Sequence, residues 1–176
     1  MELLQHTDNM YYEILEDQLA ISPREEENFG TLVVINNRYL SGDHDASREE
    51  IDSYLNNKEY ISLPVYAYIH GGISLNTTGF SCPWDSGQIG CIFVSKKQVR
   101  NDFSIKRISS QLELKVKNYL KQEVEIYNNY LNGEVYGYIV KDDNNQELDS
   151  CFGFYSKEDA ERAAQDSISY FANKVA

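Results

Sequence analysis

The chain has 176 residues and a formal net charge of −12, from 28 acidic and 16 basic side chains. That balance argues against a general phosphate-backbone binder, which needs a basic patch; it serves solubility and permits a partner protein with a basic surface. With 41% hydrophobic and 25% charged residues the chain is of globular type and long enough to bury its own core, so a single domain over 1–176 is expected, with residues 1–10 frayed.

No run approaches the ~20 apolar residues of a membrane-spanning helix, so no membrane partner is expected. The opening MELLQHTDNM lacks the basic start and apolar stretch of an export signal. Three cysteines in such a chain point to reduced thiols and a cytoplasmic setting. Neither a GxxxxGK[ST] nor a GxGxxG loop occurs, and no cofactor is expected. No CxxC or HxxxH spacing occurs either. A metal would have to be held by His70, Cys82, Cys91 or His44 with Asp43 and Asp45, drawn from separate loops, and none is expected. A homodimer is left open.

In chain order, residues 11–16 (YYEILE) read as a strand or a helical turn. Pro23 then stops regular structure, because it restricts the residues before it and has no N–H to donate. Residues 31–35 form a β-branched run with the character of a buried strand. Residues 41–46 (SGDHDA) are a loop, and 47–56 a short helix with Ser47 and Glu50 in capping-box spacing. Residues 61–69, 73–78 and 90–95 are the next strands, with Pro64 marking a bulge or an edge. With no long helix between them, these strands pair antiparallel.

Residues 110–131 carry the longest helical pattern. Ser110 and Glu113 repeat the capping-box spacing. Leu112, Val116, Tyr119, Leu120, Val124, Tyr127 and Leu131 make one apolar face, and Gly133 ends the helix. Residues 134–141 and 147–155 form a hairpin around Asp142-Asp143-Asn144-Asn145-Gln146. That oxygen-rich loop lacks the central Gly and final Glu of a calcium-binding EF-hand. Ser156 caps a last helix over about 156–172. The class is therefore α+β: a mainly antiparallel sheet of about five to seven strands, covered by a long helix (about 110–132) and a C-terminal helix.

Chemically able residues concentrate in 66–100. His70, Cys82, Cys91 and the single tryptophan, Trp84, lie there among glycine-marked turns. Two readings follow. In the first, CPWDSGQ is a rigid turn whose Asp85 and Ser86 bond nearby backbone and whose Gly87 supplies a positive φ. Trp84 then either plugs the core, the segment being a structural turn, or stands out as a binding anchor, with Asp85, Ser86 and Gln88 as polar neighbours, His70 on the same surface and Arg24 ion-pairing with the turn. In the second, Cys82 is a nucleophile with His70 as its base and Asp85 or Asn76 as the orienting group, the arrangement of a cysteine hydrolase or transferase. Lys96, Lys97, Arg100, Lys106 and Arg107 form a modest basic stretch that reads as solvated surface.

The segments SPREEENFGTLV (22–33), LPVYAYIHGG (63–72), TTGFSCPWDSGQIGCIFVSKKQVR (77–100), EVEIYNNYLNGEVYGY (123–138) and LDSCFGFY (148–155), with the Gly42-Asp43 pair, resemble a family of uncharacterised small proteins of bacteriophages and other mobile elements. The resemblance implies an accessory factor carried by a mobile element. The expected function is inhibition of a host defence protein by binding, of the anti-CRISPR or anti-restriction kind, in the cytoplasm of a bacterial host.

Overall fold

The structure, a computed structural model, describes residues 3–7, 9–35 and 40–175. Its elements are β1 (Leu3–Thr7), β2 (Met10–Glu16), β3 (Thr31–Val34), β4 (His44–Asp45), α1 (Arg48–Asn56), β5 (Tyr60–Ile69), β6 (Ile73–Asn76), β7 (Ser86–Ser95), α2 (Lys96–Asp102), α3 (Ser110–Leu131), β8 (Tyr136–Asp142), β9 (Glu147–Phe154) and α4 (Lys157–Val175), with a 3-10 turn at Pro23–Glu25. The α+β class, the long helix and the C-terminal helix are as the sequence predicts. The strands, however, divide between two sheets. The chain correspondingly forms two compact units, Met1–Ile21 with Asn129–Ala176, and Ser22–Asn128.

The first unit is an antiparallel sheet in the order β1-β2-β8-β9. Residues 3–7, expected to fray, pair with β2. Alternation along β2 and β8 sends Tyr12, Ile14, Tyr138 and Val140 to one face. There they pack on Ala160, Ala164 and Ile168, which recur every four residues along α4. Ser156 caps that helix, its hydroxyl accepting from the Asp159 N–H at 3.1 Å. At the rim of this core the Tyr138 hydroxyl donates to Asp149 Oδ2 at 2.8 Å, and Ser167 Oγ donates to the same oxygen. Burial, reinforced by the neighbouring carboxylate, pushes the Tyr138 phenol up to about 12. The bonds from Ser167 and Tyr138 hold Asp149 below its ordinary value.

The second unit is a five-stranded sheet in the order β4-β3-β7-β5-β6, antiparallel except for the short parallel pair of β3 and β4. One face carries Val33, Cys91 and Phe93 against Ile51 of α1. Tyr54 stacks on Phe93 at 4.0 Å between ring centroids, and Tyr60 meets Phe93 edge-on at 5.1 Å. The α1 capping box forms as read: the Ser47 N–H donates to Glu50 Oε2 at 2.8 Å and the Glu50 N–H to Ser47 Oγ at 3.2 Å. The opposite face, that of Ile92, receives α3. Leu120 and Ile92 close over Gly30, where a Cβ would lie 2.4 Å from Leu120 Cδ2. Val116, Leu120, Val124 and Tyr127 are the buried stripe of α3.

Three local expectations are corrected, and the one for Pro64 is met. The cap of α3 is Ser109 rather than Ser110, its hydroxyl accepting from the Leu112 N–H at 3.2 Å. Lys96–Asp102 is a helix, capped by Ser95 Oγ accepting from the Gln98 N–H at 3.1 Å. Residues 86–88, read as turn, already belong to β7, so Gly87 is a strand residue and the positive φ falls at Gly71 (71°) and Gly79 (87°). β6 covers only residues 66–69 of β5, so Pro64 has a strand on one side alone, with a register shift at Val65/Tyr66 beside it. Among the described residues, no helix is long and apolar enough to cross a membrane.

Candidate functional site

Strand order explains why the chemically able residues meet. β6 is the sheet edge, and β7 lies on the other side of β5. The chain leaving β6 at Asn76 must therefore cross β5 to enter β7 at Ser86. It does so near Tyr66 and Tyr68, which alternation places on one face of β5. Gly79 faces the Tyr66 ring, a Cβ there being 3.8 Å from it, and its φ of 87° suits glycine. Phe80 lies against Tyr68, ring centroids 5.8 Å apart.

The crossing segment is braced at both ends. Asn76 Oδ1 accepts from the N–H groups of Thr78 (3.0 Å) and Gly79 (2.6 Å), while its amide donates to Gly79 O at 3.1 Å. Asn76 is thus a turn clamp and not the orienting partner of His70. At the far end the Ile69 N–H donates to Asp85 O at 2.9 Å, one step beyond the Tyr68–Ser86 pair. The Ser86 hydroxyl donates to Cys82 O. Gln88 sits within β7, its amide 3.4 Å from Gly90 O.

This bracing brings His70, Cys82 and Asp85 together, with the carboxylate in the middle. Asp85 Oδ2 is 3.2 Å from His70 Nδ1 and 4.0 Å from Cys82 Sγ. In a Cys–His dyad the imidazole accepts the thiol proton. Here the thiol faces the carboxylate, and no Cys82–His70 hydrogen bond forms among the described residues. The His70 ring stacks on Tyr68, centroids 6.1 Å apart. Trp84 stands out from the loop, 91% exposed. Its ring has no aromatic or cation contact among the described residues.

Arg24 lies elsewhere in the unit. Its side chain is 5% exposed, and all five N–H donors are used: Nε and Nη2 on Asp43 at 2.8 and 2.5 Å, Nη1 on Glu123 at 3.0 Å and Asn28 at 3.1 Å, and Nη2 on Gly30 O at 2.8 Å. Burial pulls its pKa down, and the bonds to Asp43 and Glu123 more than reverse this, so the value ends above the ordinary one. The expected pairing of Arg24 with the 82–88 turn is therefore replaced by an internal clamp joining the 3-10 turn, the 42–43 loop and α3. A charge beside a proline turn looks exposed in sequence; its two carboxylate partners lie 19 and 99 residues away.

Cys91 is fully buried in the α1-side core, and that burial pushes its thiol up to about 12. No group of three His, Cys, Asp or Glu residues suited to a metal ion occurs among the described residues. The reading from sequence did not single out Ile69, Tyr68 and Phe80 as part of this surface; the alternation of Tyr66 and Tyr68 along β5 was the available signal. Compared with family models, curated proteins and solved structures, the chain shows no match.

Proposed function

We propose that the protein acts by binding a partner protein through the 79–88 loop, with Trp84 as the anchor. The observation that carries this reading is the 91% exposure of a tryptophan on a loop whose backbone is pinned on both sides. A large aromatic side chain held rigidly in water contributes nothing to the core, and such side chains dominate binding energy when a partner desolvates them. The net charge of −12 adds attraction to a basic partner. The class of partner rests on the resemblance to mobile-element proteins: a host defence protein, inhibited in the anti-CRISPR or anti-restriction manner. The test is phage survival in hosts carrying defined defence systems. Expression of the wild-type chain should protect phage against one of them, and Trp84→Ala, with an unchanged melting temperature, should not. Full protection by Trp84→Ala, or no protection by the wild type against any system, refutes the reading.

The rival reading, a cysteine hydrolase or transferase, draws on the convergence of Cys82, Asp85 and His70. The thiol's position against Asp85 disfavours it. Iodoacetamide labelling at mildly acidic pH separates the two, since only a thiol ionised there reacts quickly. Labelling of Cys82 no faster than that of exposed Cys151 supports the binding reading; a much faster reaction at Cys82 supports the enzyme.

A further inference from the structure

We infer that the Trp84–Asp85 step receives a guanidinium, an arginine side chain presented by the partner protein. This rests on the binding reading above and specifies what the loop recognises. Asp85 uses one carboxylate oxygen, Oδ2, for both His70 and Cys82. Its Oδ1 has no hydrogen-bond partner among the described residues, and the side chain is 40% exposed. No lysine or arginine of the described chain pairs with it. The adjacent residue offers an indole that is 91% exposed. A carboxylate oxygen held in place at one residue and an open indole at the next are the two features that arginine satisfies, donating from its edge and laying its face on a ring.

Three further observations favour this occupant. The chain's charge of −12 draws a cationic partner and repels a nucleic acid. The contact to His70 and the backbone bond from the Ile69 N–H hold Asp85 before any partner arrives, so little ordering is lost on binding. Half-exposed Tyr68 and Phe80 line the same crossing segment, a polarisable wall suited to a weakly hydrated cation.

Trp84 is the single tryptophan of the chain, so intrinsic fluorescence reports on this position alone. The probe is an acetylated and amidated Gly-Arg-Gly-Arg-Gly peptide at millimolar concentration, with lysine and citrulline counterparts. The arginine peptide should change Trp84 emission saturably, the lysine peptide should bind more weakly, and the citrulline peptide should leave the emission unchanged. Asp85→Asn should weaken the arginine peptide roughly fivefold, the size of an exposed charge pair. His70→Ala, which removes one brace on Asp85 but keeps the carboxylate, should bind more weakly than the wild type and more tightly than Asp85→Asn; the difference separates loss of order from loss of charge. Citrulline binding as tightly as arginine, or no response to any peptide, overturns the inference. Failure of the binding reading itself is seen separately, as phage protection retained by Trp84→Ala.

Discussion

Removing Arg24 is the perturbation whose cost the structure specifies best. Arg24→Ala deletes five hydrogen bonds and leaves two carboxylates without their cation. Breaking a buried ion pair from one side costs about 3–5 kcal/mol. Two features place this site near the lower end of that range. Asp43 and Glu123 keep 24% and 16% side-chain exposure. Each also keeps backbone donors: Leu32 N–H to Asp43 Oδ2 at 2.8 Å, and Phe29 N–H to Glu123 Oε1 at 2.8 Å. The expected loss is therefore about 3 kcal/mol, a large part of the 5–15 kcal/mol typical of a domain. Arg24→Lys should recover little, because an ammonium cannot serve Asp43 side-on while also reaching Glu123 and Gly30 O. Urea unfolding followed by far-ultraviolet circular dichroism measures both, and Trp84 fluorescence is unsuited since that ring is already in water. A loss below about 1 kcal/mol for Arg24→Ala, within the range of an ordinary surface pair, would refute the clamp.

Two other outcomes follow from close contacts and titration. At Gly90 a Cβ would lie 2.1 Å from Val33 O, a backbone atom of the paired strand, whereas at Gly87 it would meet nothing within 4 Å. Gly90→Ala should lower stability by about 1–3 kcal/mol and Gly87→Ala should be near neutral, both read from urea midpoints. Tyr138 ionises at about 12 in the fold, above its ordinary value of 10, so its contribution is full below pH 10 and is lost as pH rises through 12. Asp149 has the opposite sense: held below its ordinary 3.8, it contributes above that value and loses the contribution as pH falls through its folded pKa. Tyr138→Phe should flatten the alkaline limb of a stability–pH curve, and an unchanged limb would contradict the assignment.

The elements that sequence patterning announces are those whose cause is local. The apolar stripe of α3, the Ser47–Glu50 box, the Gly133 stop and the 134–155 hairpin each depend on residues within a turn or two of one another. What patterning does not carry is the choice of partner. Residues 10–16 alternate correctly for a strand, yet their mates are residues 136–142, and nothing local distinguishes that pairing from one with β3. The division into two sheets was invisible for the same reason. The unit boundaries fall at Ser22 and inside α3, where no glycine- or serine-rich linker marks them. α2 was missed because Lys96 and Lys97 read as solvated surface, although Ser95 and Gln98 have capping spacing. At the candidate site, residue types located the loop, but the meeting of His70 with Asp85 depends on β7 lying beside β5 rather than beside β6. Charge alone misplaced Arg24, because its burial is decided by Asp43 and Glu123.

The chain order of the two units bears on how the protein is made. The first unit is discontinuous, with the whole of Ser22–Asn128 inserted between β2 and β8. On a ribosome β2 emerges more than a hundred residues before β8, its second partner strand. Throughout that interval Tyr12 and Ile14, core residues of the finished sheet, have no α4 to cover them. The inserted unit has all its strands in hand well before then. A strand left waiting in this way is exposed to the wrong neighbour, and pairings over long sequence separations form slowly in any case. Completion of the inserted unit replaces a long floppy loop by a folded body, which lowers the closure entropy that β2 and β8 must overcome. Folding therefore runs from the inside of the sequence outwards, and α4 closes the core that β2 and β8 form.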